Sequence, residues 1–108
     1  QVPAKLDESE KSTKGYNYII REREFIRMNE EVYKIGKCED MSKRFKQYPK
    51  GSELVKYATV KDRHMSESLM IDDFKKHFIH RKDLGTEYFE GDISLILCKF
   101  QENVAKEM

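Results

Sequence analysis

The sequence has few of the residues that constrain a chain covalently or place it in a membrane. Its 108 residues include two cysteines, two prolines and no tryptophan. Cys38 and Cys98 lie far apart, so we expect free thiols in a reducing compartment and no disulfide framework. No apolar run approaches the ~20 residues of a membrane span, and no signal-peptide pattern opens the chain. We therefore expect no membrane partner and an intracellular location.

Charged and aromatic residues are abundant instead. Hydrophobic and charged residues each make up 38% of the chain, and six tyrosines and six phenylalanines can build a compact core. This composition excludes a wholly disordered chain. The net charge is only +1, but residues 34–63 carry nine basic and four acidic residues, a local charge of +5. Such a segment suits either a phosphate-binding surface or a solvated lysine-rich face.

The order of predicted elements indicates one small α+β domain. Residues 1–14 lack apolar periodicity, which predicts a mobile N-terminal lead-in before a single domain at 15–108. Alternating patterns predict three strands, at 16–20, 32–36 and 53–60. Helical periodicity predicts three helices, at 40–48, 62–80 and 92–106, and the charged segment 21–31 is expected to be a long exposed connection. The order β-β-α-β-α-α predicts a three-stranded antiparallel sheet flanked by helices.

Three motifs occur in a fixed order: Tyr16-Asn17-Tyr18, then Tyr33-Lys34-Ile35-Gly36, then Arg44 on the following helix. Together they resemble the motifs of the GIY-YIG nuclease superfamily. The likeness is strongest to the phage and large-DNA-virus subgroup, in which the second motif reads KIG and a late segment resembles Thr86–Phe89. The resemblance runs from about Gly15 to Phe89 and implies a metal-dependent DNA endonuclease.

The resemblance also implies a role for individual residues. Tyr18 would lie beside the scissile phosphate, Gly36 would leave room for substrate, and Arg44 would contact the phosphate. Tyr48, four residues after Arg44 on the same helical face, falls where many members carry His or Tyr. Glu67 matches the glutamate that binds the metal, which is Mg²⁺ or Mn²⁺.

The second motif departs from the family at one position. Lys34 stands where most members carry a tyrosine, and Tyr33 points to the opposite face of the strand. A tyrosine is a poor base at neutral pH unless cations favour its phenolate, and Lys34 is a candidate for that charge or for direct phosphate contact.

DNA is the expected partner of the basic segment. We expect its phosphates to be met by four lysines: Lys37, Lys43, Lys46 and Lys50. A domain of this size is expected to take its specificity from an attached DNA-reading domain or from a homodimer.

Some residues also allow a structural interpretation or a different function. Helical spacing puts Glu67 on the same face as Met70 and Phe74, where a buried carboxylate needs a cation or a donor. A catalytically inactive nucleic-acid-binding module and a protein-interaction domain remain alternatives to the nuclease. A zinc site using His77, His80 and either cysteine is a weaker candidate. We expect Cys98 to pack in the core. Glu87 and Glu90 are either loop residues, the interpretation we favour, or outer metal ligands.

Overall fold

The computed structural model describes residues 13–106. The predicted lead-in therefore lies outside the described residues except for Thr13 and Lys14. These two are anchored by Arg63, whose backbone nitrogen donates to the Thr13 carbonyl at 2.7 Å and whose Nη1 donates to the Lys14 carbonyl at 2.8 Å.

The α+β class is confirmed, with more elements than the sequence predicts. The strands are β1 (Gly15–Arg21), β2 (Val32–Cys38), β3 (Glu53–Val60), β4 (Ile79–His80) and β5 (Tyr88–Glu90). The helices within residues 13–106 are α1 (Arg23–Arg27), α2 (Met41–Phe45), α3 (Arg63–His77) and α4 (Ile93–Ala105). No helix in this part of the chain is long and apolar enough to cross a membrane.

The strands form one antiparallel sheet in the order β3-β1-β2-β5-β4. The three predicted strands pair as expected, with β1 between β2 and β3. In this register Tyr18 on β1 lies opposite Gly36 on β2. On β2, only the first three residues, Val32–Lys34, pair with β5. Among the described residues, Gly36–Cys38 has no strand neighbour on the side away from β1, and we call this segment the open edge of β2.

The prediction of a three-stranded sheet is wrong because the sheet has five strands. The predicted helix at 62–80 ends at His77, where Phe78 turns extended at φ −131° and ψ 166°, so Ile79 and His80 pair with β5. Phe78 still packs against the core beside Met70 and Phe74. Helical spacing of apolar residues therefore continues past the point where the backbone leaves the helix.

Smaller boundary errors occur around β2. The connection at 21–31 contains α1, and the ring of Phe25 packs edge-on against Tyr88 with 6.1 Å between centroids. Strand β2 continues two residues beyond Gly36, and the helix predicted at 40–48 is regular only over Met41–Phe45.

Apolar side chains cover both faces of the sheet. On one face, which we call the α3–α4 face, Ile19 and Ile35 pack with Met70 and Phe74 of α3 and with residues of α4. The shared helical face predicted for Met70 and Phe74 is confirmed there. The last helix buries Ile96 and Phe100, but Cys98 is exposed, so its expected core position is wrong.

The opposite face, which we call the α2 face, carries a smaller cluster. It contains Tyr18, Ile20, Cys38 and Met41, with Tyr48 packed against them. The alternation predicted for β1 is thus confirmed, because Tyr18 and Ile19 lie on different faces of the sheet.

The start of α3 depends on a side-chain cap. The Asp62 carboxylate accepts hydrogen bonds from the backbone nitrogens of His64 at 3.2 Å and Met65 at 3.1 Å. We expect Asp62→Ala to lower the free energy of unfolding by about 1 kcal/mol, because it leaves these donors unpaired. Asp62→Asn keeps an acceptor and is the matched control, measured by urea unfolding. Equal stability of the two variants would contradict the role of the cap.

Candidate functional site

The position of Tyr18 depends on the absence of a side chain at Gly36. Tyr18 is fully buried, at 0% exposure, and its ring crosses the backbone of β2. A Cβ atom built on Gly36 would lie 2.1 Å from Cζ of Tyr18 and 2.3 Å from its hydroxyl oxygen. Both distances are far inside van der Waals contact, so any side chain at position 36 would displace the phenol.

The hydroxyl of Tyr18 connects β1 to residues from α2 and the turn after it. It lies 2.7 Å from the hydroxyl of Tyr48, and Nη1 of Arg44 approaches it at 3.4 Å. The same Nη1 donates to the Lys37 carbonyl at 3.0 Å. A guanidinium can only donate, so the Tyr18 oxygen accepts from Arg44 and its own proton is available to Tyr48.

Lys34 brings a second cation to these groups. Its Nζ lies 5.2 Å from the ring centroid of Tyr48 and 5.8 Å from that of Tyr88, which are cation–π distances. Lys34 shares the α2 face with Gly36, two residues further along β2. We call Tyr18, Lys34, Arg44 and Tyr48 the tyrosine–arginine cluster, which unites four of the five predicted catalytic residues.

The phenols of this cluster are held in their neutral form. Burial is the main cause that raises the pKa of Tyr18 well above its ordinary value, and its hydrogen bond to Tyr48 adds to the shift. Burial also raises the pKa of Tyr48. The hydrogen bond to Tyr18 raises the pKa of the Arg44 guanidinium. At neutral pH both tyrosines therefore keep their protons, and Lys34 faces the rings of Tyr48 and Tyr88.

Glu67, the fifth predicted catalytic residue, is buried on α3. Its side chain is 5% exposed, and Oε1 lies 2.7 Å from Nζ of Lys37. The inference from helical spacing that this carboxylate is buried and needs a cation is thus confirmed. In this structure the cation is Lys37, whose ammonium was expected to meet DNA phosphates.

Arg44 and Glu67 reach the sheet from opposite faces. Glu67 contacts the Lys37 side chain on the α3–α4 face, whereas Arg44 belongs to the cluster on the α2 face. The helices that carry Arg44 and Glu67 therefore do not border a single cleft. The two residues converge at the open edge of β2, because Arg44 also bonds to the Lys37 carbonyl there.

The other predicted binding residues have distinct surroundings. Lys43, Lys46 and Lys50 are exposed on α2 and the turn that follows it. No group of three His, Cys, Asp or Glu side chains that could hold a metal forms within residues 13–106. The zinc alternative is not supported there, since His80 stacks on Phe89 in the sheet. Glu90 forms an ion pair with Arg81 at 3.2 Å, in a structural role.

Sequence reasoning gave no role to two polar residues at the site. Tyr88 receives the Lys34 ammonium on its ring, and its hydroxyl donates to Glu22 at 2.9 Å. Asn17 is fully buried on the α3–α4 face. The alternation of β1 alone could have identified Asn17, because a polar residue between inward-facing aromatic and aliphatic residues requires partners.

We expect Gly36→Ala to destabilise the domain by about 1–3 kcal/mol, the usual cost of overpacking. The added methyl group would meet the Tyr18 ring. In a Tyr18→Leu background the same substitution should cost less, and urea unfolding of the four proteins gives the coupling. Additive costs would show that the Tyr18 ring is not what excludes a side chain at position 36.

Comparison with known proteins identifies the family of the chain. A family model described as the T5orf172 domain matches residues 15–107. Comparison with curated proteins gave no match, and comparison with solved structures gave none either. The match spans all the strands and helices described above. The chain therefore belongs to the T5orf172 domain family, a phage-associated domain of endonuclease type.

Proposed function

We propose that this domain is a metal-dependent DNA endonuclease of the GIY-YIG type that hydrolyses phosphodiester bonds. The observation that carries the proposal is the tyrosine–arginine cluster. It combines two cations and two neutral hydroxyls, and within residues 13–106 neither Lys34 nor Arg44 forms an ion pair. Several other arginines do pair with carboxylates, at Arg21, Arg23, Arg63 and Arg81. Unpaired positive charge beside hydroxyl donors is the chemistry that a phosphate requires.

Arg44 is proposed to grip the scissile phosphate. Its Nη1 is fixed by the Lys37 carbonyl, while Nε and Nη2 donate to no acceptor within the described residues. A planar guanidinium can offer two parallel donors to two phosphate oxygens, which an ammonium cannot. The bond to Lys37 orients the group before substrate arrives, so little side-chain entropy remains to be lost.

The two hydroxyls are proposed to position the attacking water. Arg44 donates to Tyr18, and either hydroxyl can donate in the Tyr18–Tyr48 hydrogen bond. When Tyr18 donates, the proton of Tyr48 remains for a substrate oxygen or a water. Because the pKa of each phenol is raised by burial, neither acts as a phenolate base in this state. Lys34 would add positive charge near the phosphate oxygens on which negative charge develops.

Glu67 is proposed to hold the metal. Mg²⁺ is usually bound through one or two carboxylates together with substrate phosphate oxygens and waters, so a single buried carboxylate fits this donor set. When bound, the ion would supply Lewis-acid stabilisation of charge on the phosphate. Nζ of Lys37 lies 2.7 Å from Oε1 of Glu67, so this ion pair would have to break before a metal binds.

A second candidate is a module that binds DNA without cutting it. The Lys37–Glu67 ion pair favours this alternative, because it neutralises the carboxylate that the reaction needs. The lysine at position 34 favours it as well. In either case we propose DNA as the partner, with specificity supplied by an attached DNA-reading domain or a homodimer, and an intracellular location.

Cleavage of supercoiled and branched DNA with Mg²⁺ or Mn²⁺ separates these candidates. We expect Arg44→Lys to lower the cleavage rate roughly 10²–10³-fold, the usual cost of a lost electrostatic group, and Glu67→Gln to abolish metal-dependent cleavage. The control is Arg27→Lys on the exposed face of α1, which should cut normally.

An inert wild-type protein would refute the nuclease proposal in favour of the binding module. Full metal-dependent activity of Glu67→Gln would refute only the metal-binding role of Glu67. Lys34→Tyr then restores the commoner family residue. A gain of activity in this variant would mark Lys34 as the reason for the loss.

We expect charge reversal of Lys43, Lys46 and Lys50 to weaken DNA binding equally for all sequences and to flatten its salt dependence. These exposed side chains are placed to meet phosphates, which carry no sequence information. The matched control reverses Lys75, Lys76 and Lys82, which are also exposed and change the net charge by the same amount. Similar DNA affinity of both triple variants across several salt concentrations would show that the position of the three lysines does not affect DNA binding.

A further inference from the structure

A buried acceptor on β1 has no hydrogen-bond partner within residues 13–106. Oδ1 of Asn17 is buried and makes no hydrogen bond within the described residues, although the residue is 0% exposed. Leaving a buried polar atom unpaired costs about 1–3 kcal/mol. Such an atom in a folded protein calls for a specific explanation.

The orientation of this amide is fixed by its neighbours. Nδ2 of Asn17 approaches the carbonyl oxygens of Arg63 at 3.2 Å and Tyr16 at 3.3 Å. Both carbonyls can only accept hydrogen bonds, so the atom facing them must be the nitrogen. The unpaired atom is therefore the oxygen, which can bind a cation.

Strand register and helical spacing place Asn17 on the same face of the sheet as the Lys37–Glu67 ion pair. Asn17 and Lys37 are directly opposite partners on β1 and β2, so their side chains share the α3–α4 face with Cβ atoms about 4.5–5.5 Å apart. Glu67 lies one helical turn after Arg63, whose carbonyl holds Asn17. Side chains on a helix lean toward its N-terminus, so Glu67 leans toward that turn.

We propose that Asn17 Oδ1 and the Glu67 carboxylate are two oxygen ligands of one divalent-cation site. We further propose that the ammonium of Lys37 occupies this site in the absence of metal. This inference rests on the proposed function, to which it adds the second ligand and the resident cation. Amide and carboxylate oxygens are ligands that Mg²⁺ and Mn²⁺ accept.

A divalent ion and the Lys37 ammonium exclude each other at Glu67. Lys37 is bonded to Oε1 of Glu67 at 2.7 Å, and its side chain is 34% exposed, so it has a path to swing outward. A divalent ion at Glu67 would repel an ammonium at this distance. Metal binding therefore releases Lys37 toward solvent at the open edge of β2, where its charge becomes available to a DNA phosphate.

The test measures Mn²⁺ affinity of the full chain by electron paramagnetic resonance, without DNA. We expect Lys37→Met to tighten Mn²⁺ binding by about tenfold or more, because the competing charge is gone. Adding Asn17→Ala to Lys37→Met should weaken binding about tenfold. Lys34→Met is the matched control, a lysine of the same strand on the opposite face, and should leave the affinity unchanged.

A second readout avoids any substitution of Asn17. In Lys37→Met protein, substoichiometric Mn²⁺ should broaden the side-chain amide signals of Asn17 in nuclear magnetic resonance spectra. The side-chain amide of Asn103, which bonds to Asp73 at 2.9 Å, is the internal control. Equal broadening of both amides would exclude Asn17 as a ligand, and an unchanged affinity of Lys37→Met would exclude the competition.

These outcomes are separable from the fate of the proposed function. If Lys37→Met binds Mn²⁺ no more tightly while wild-type protein cuts DNA, the nuclease stands and this inference fails. If Mn²⁺ binding responds as expected while no DNA is cut, the cation site stands and the enzyme assignment fails.

Discussion

The contact between the Tyr18 ring and the bare backbone of Gly36 is the constraint on which the site depends. With only 2.1 Å between Cζ of Tyr18 and the position that a Cβ of residue 36 would take, the phenol lies directly against the backbone of β2. This places its hydroxyl between Arg44 and Tyr48. The hydrogen bonds that join Tyr18 to Arg44 and Tyr48 therefore require a glycine at position 36. The sheet fixes the position of the Tyr18 hydroxyl, and the other two side chains bond to it there.

Charge in this region is divided between two centres that share β2. The α2 face carries Lys34 and Arg44, which have no paired carboxylate within residues 13–106, and the α3–α4 face carries the buried Lys37–Glu67 pair. The first centre is a concentration of positive charge, and the second is a carboxylate neutralised by a lysine of the same chain. Lys37 belongs to both, because its carbonyl orients Arg44 while its ammonium holds Glu67. Substrate and metal would therefore act on the same short segment of backbone.

The sequence predicts the parts of this arrangement that depend on local periodicity. Strand alternation separates Tyr18 from Ile19 and Lys34 from Tyr33, and helical spacing buries Glu67, as the structure confirms. The ends of elements were less predictable, because Ile79 and His80 form a strand only through pairing with distant β5. The partner of Glu67 was equally hidden, since it depends on how α3 crosses β2. Local patterns do not encode such long-range contacts.

The alternation of β2 has an evolutionary consequence. Lys34 and Gly36 lie on one face of the sheet and Lys37 lies on the other, because successive residues of a strand point to opposite faces. A substitution in β2 alters one contact, whereas inserting or deleting a single residue would turn every following side chain to the wrong face. In homologous sequences, insertions and deletions should therefore occur in the connections outside β2. The spacing from the second motif to Lys37 should stay constant.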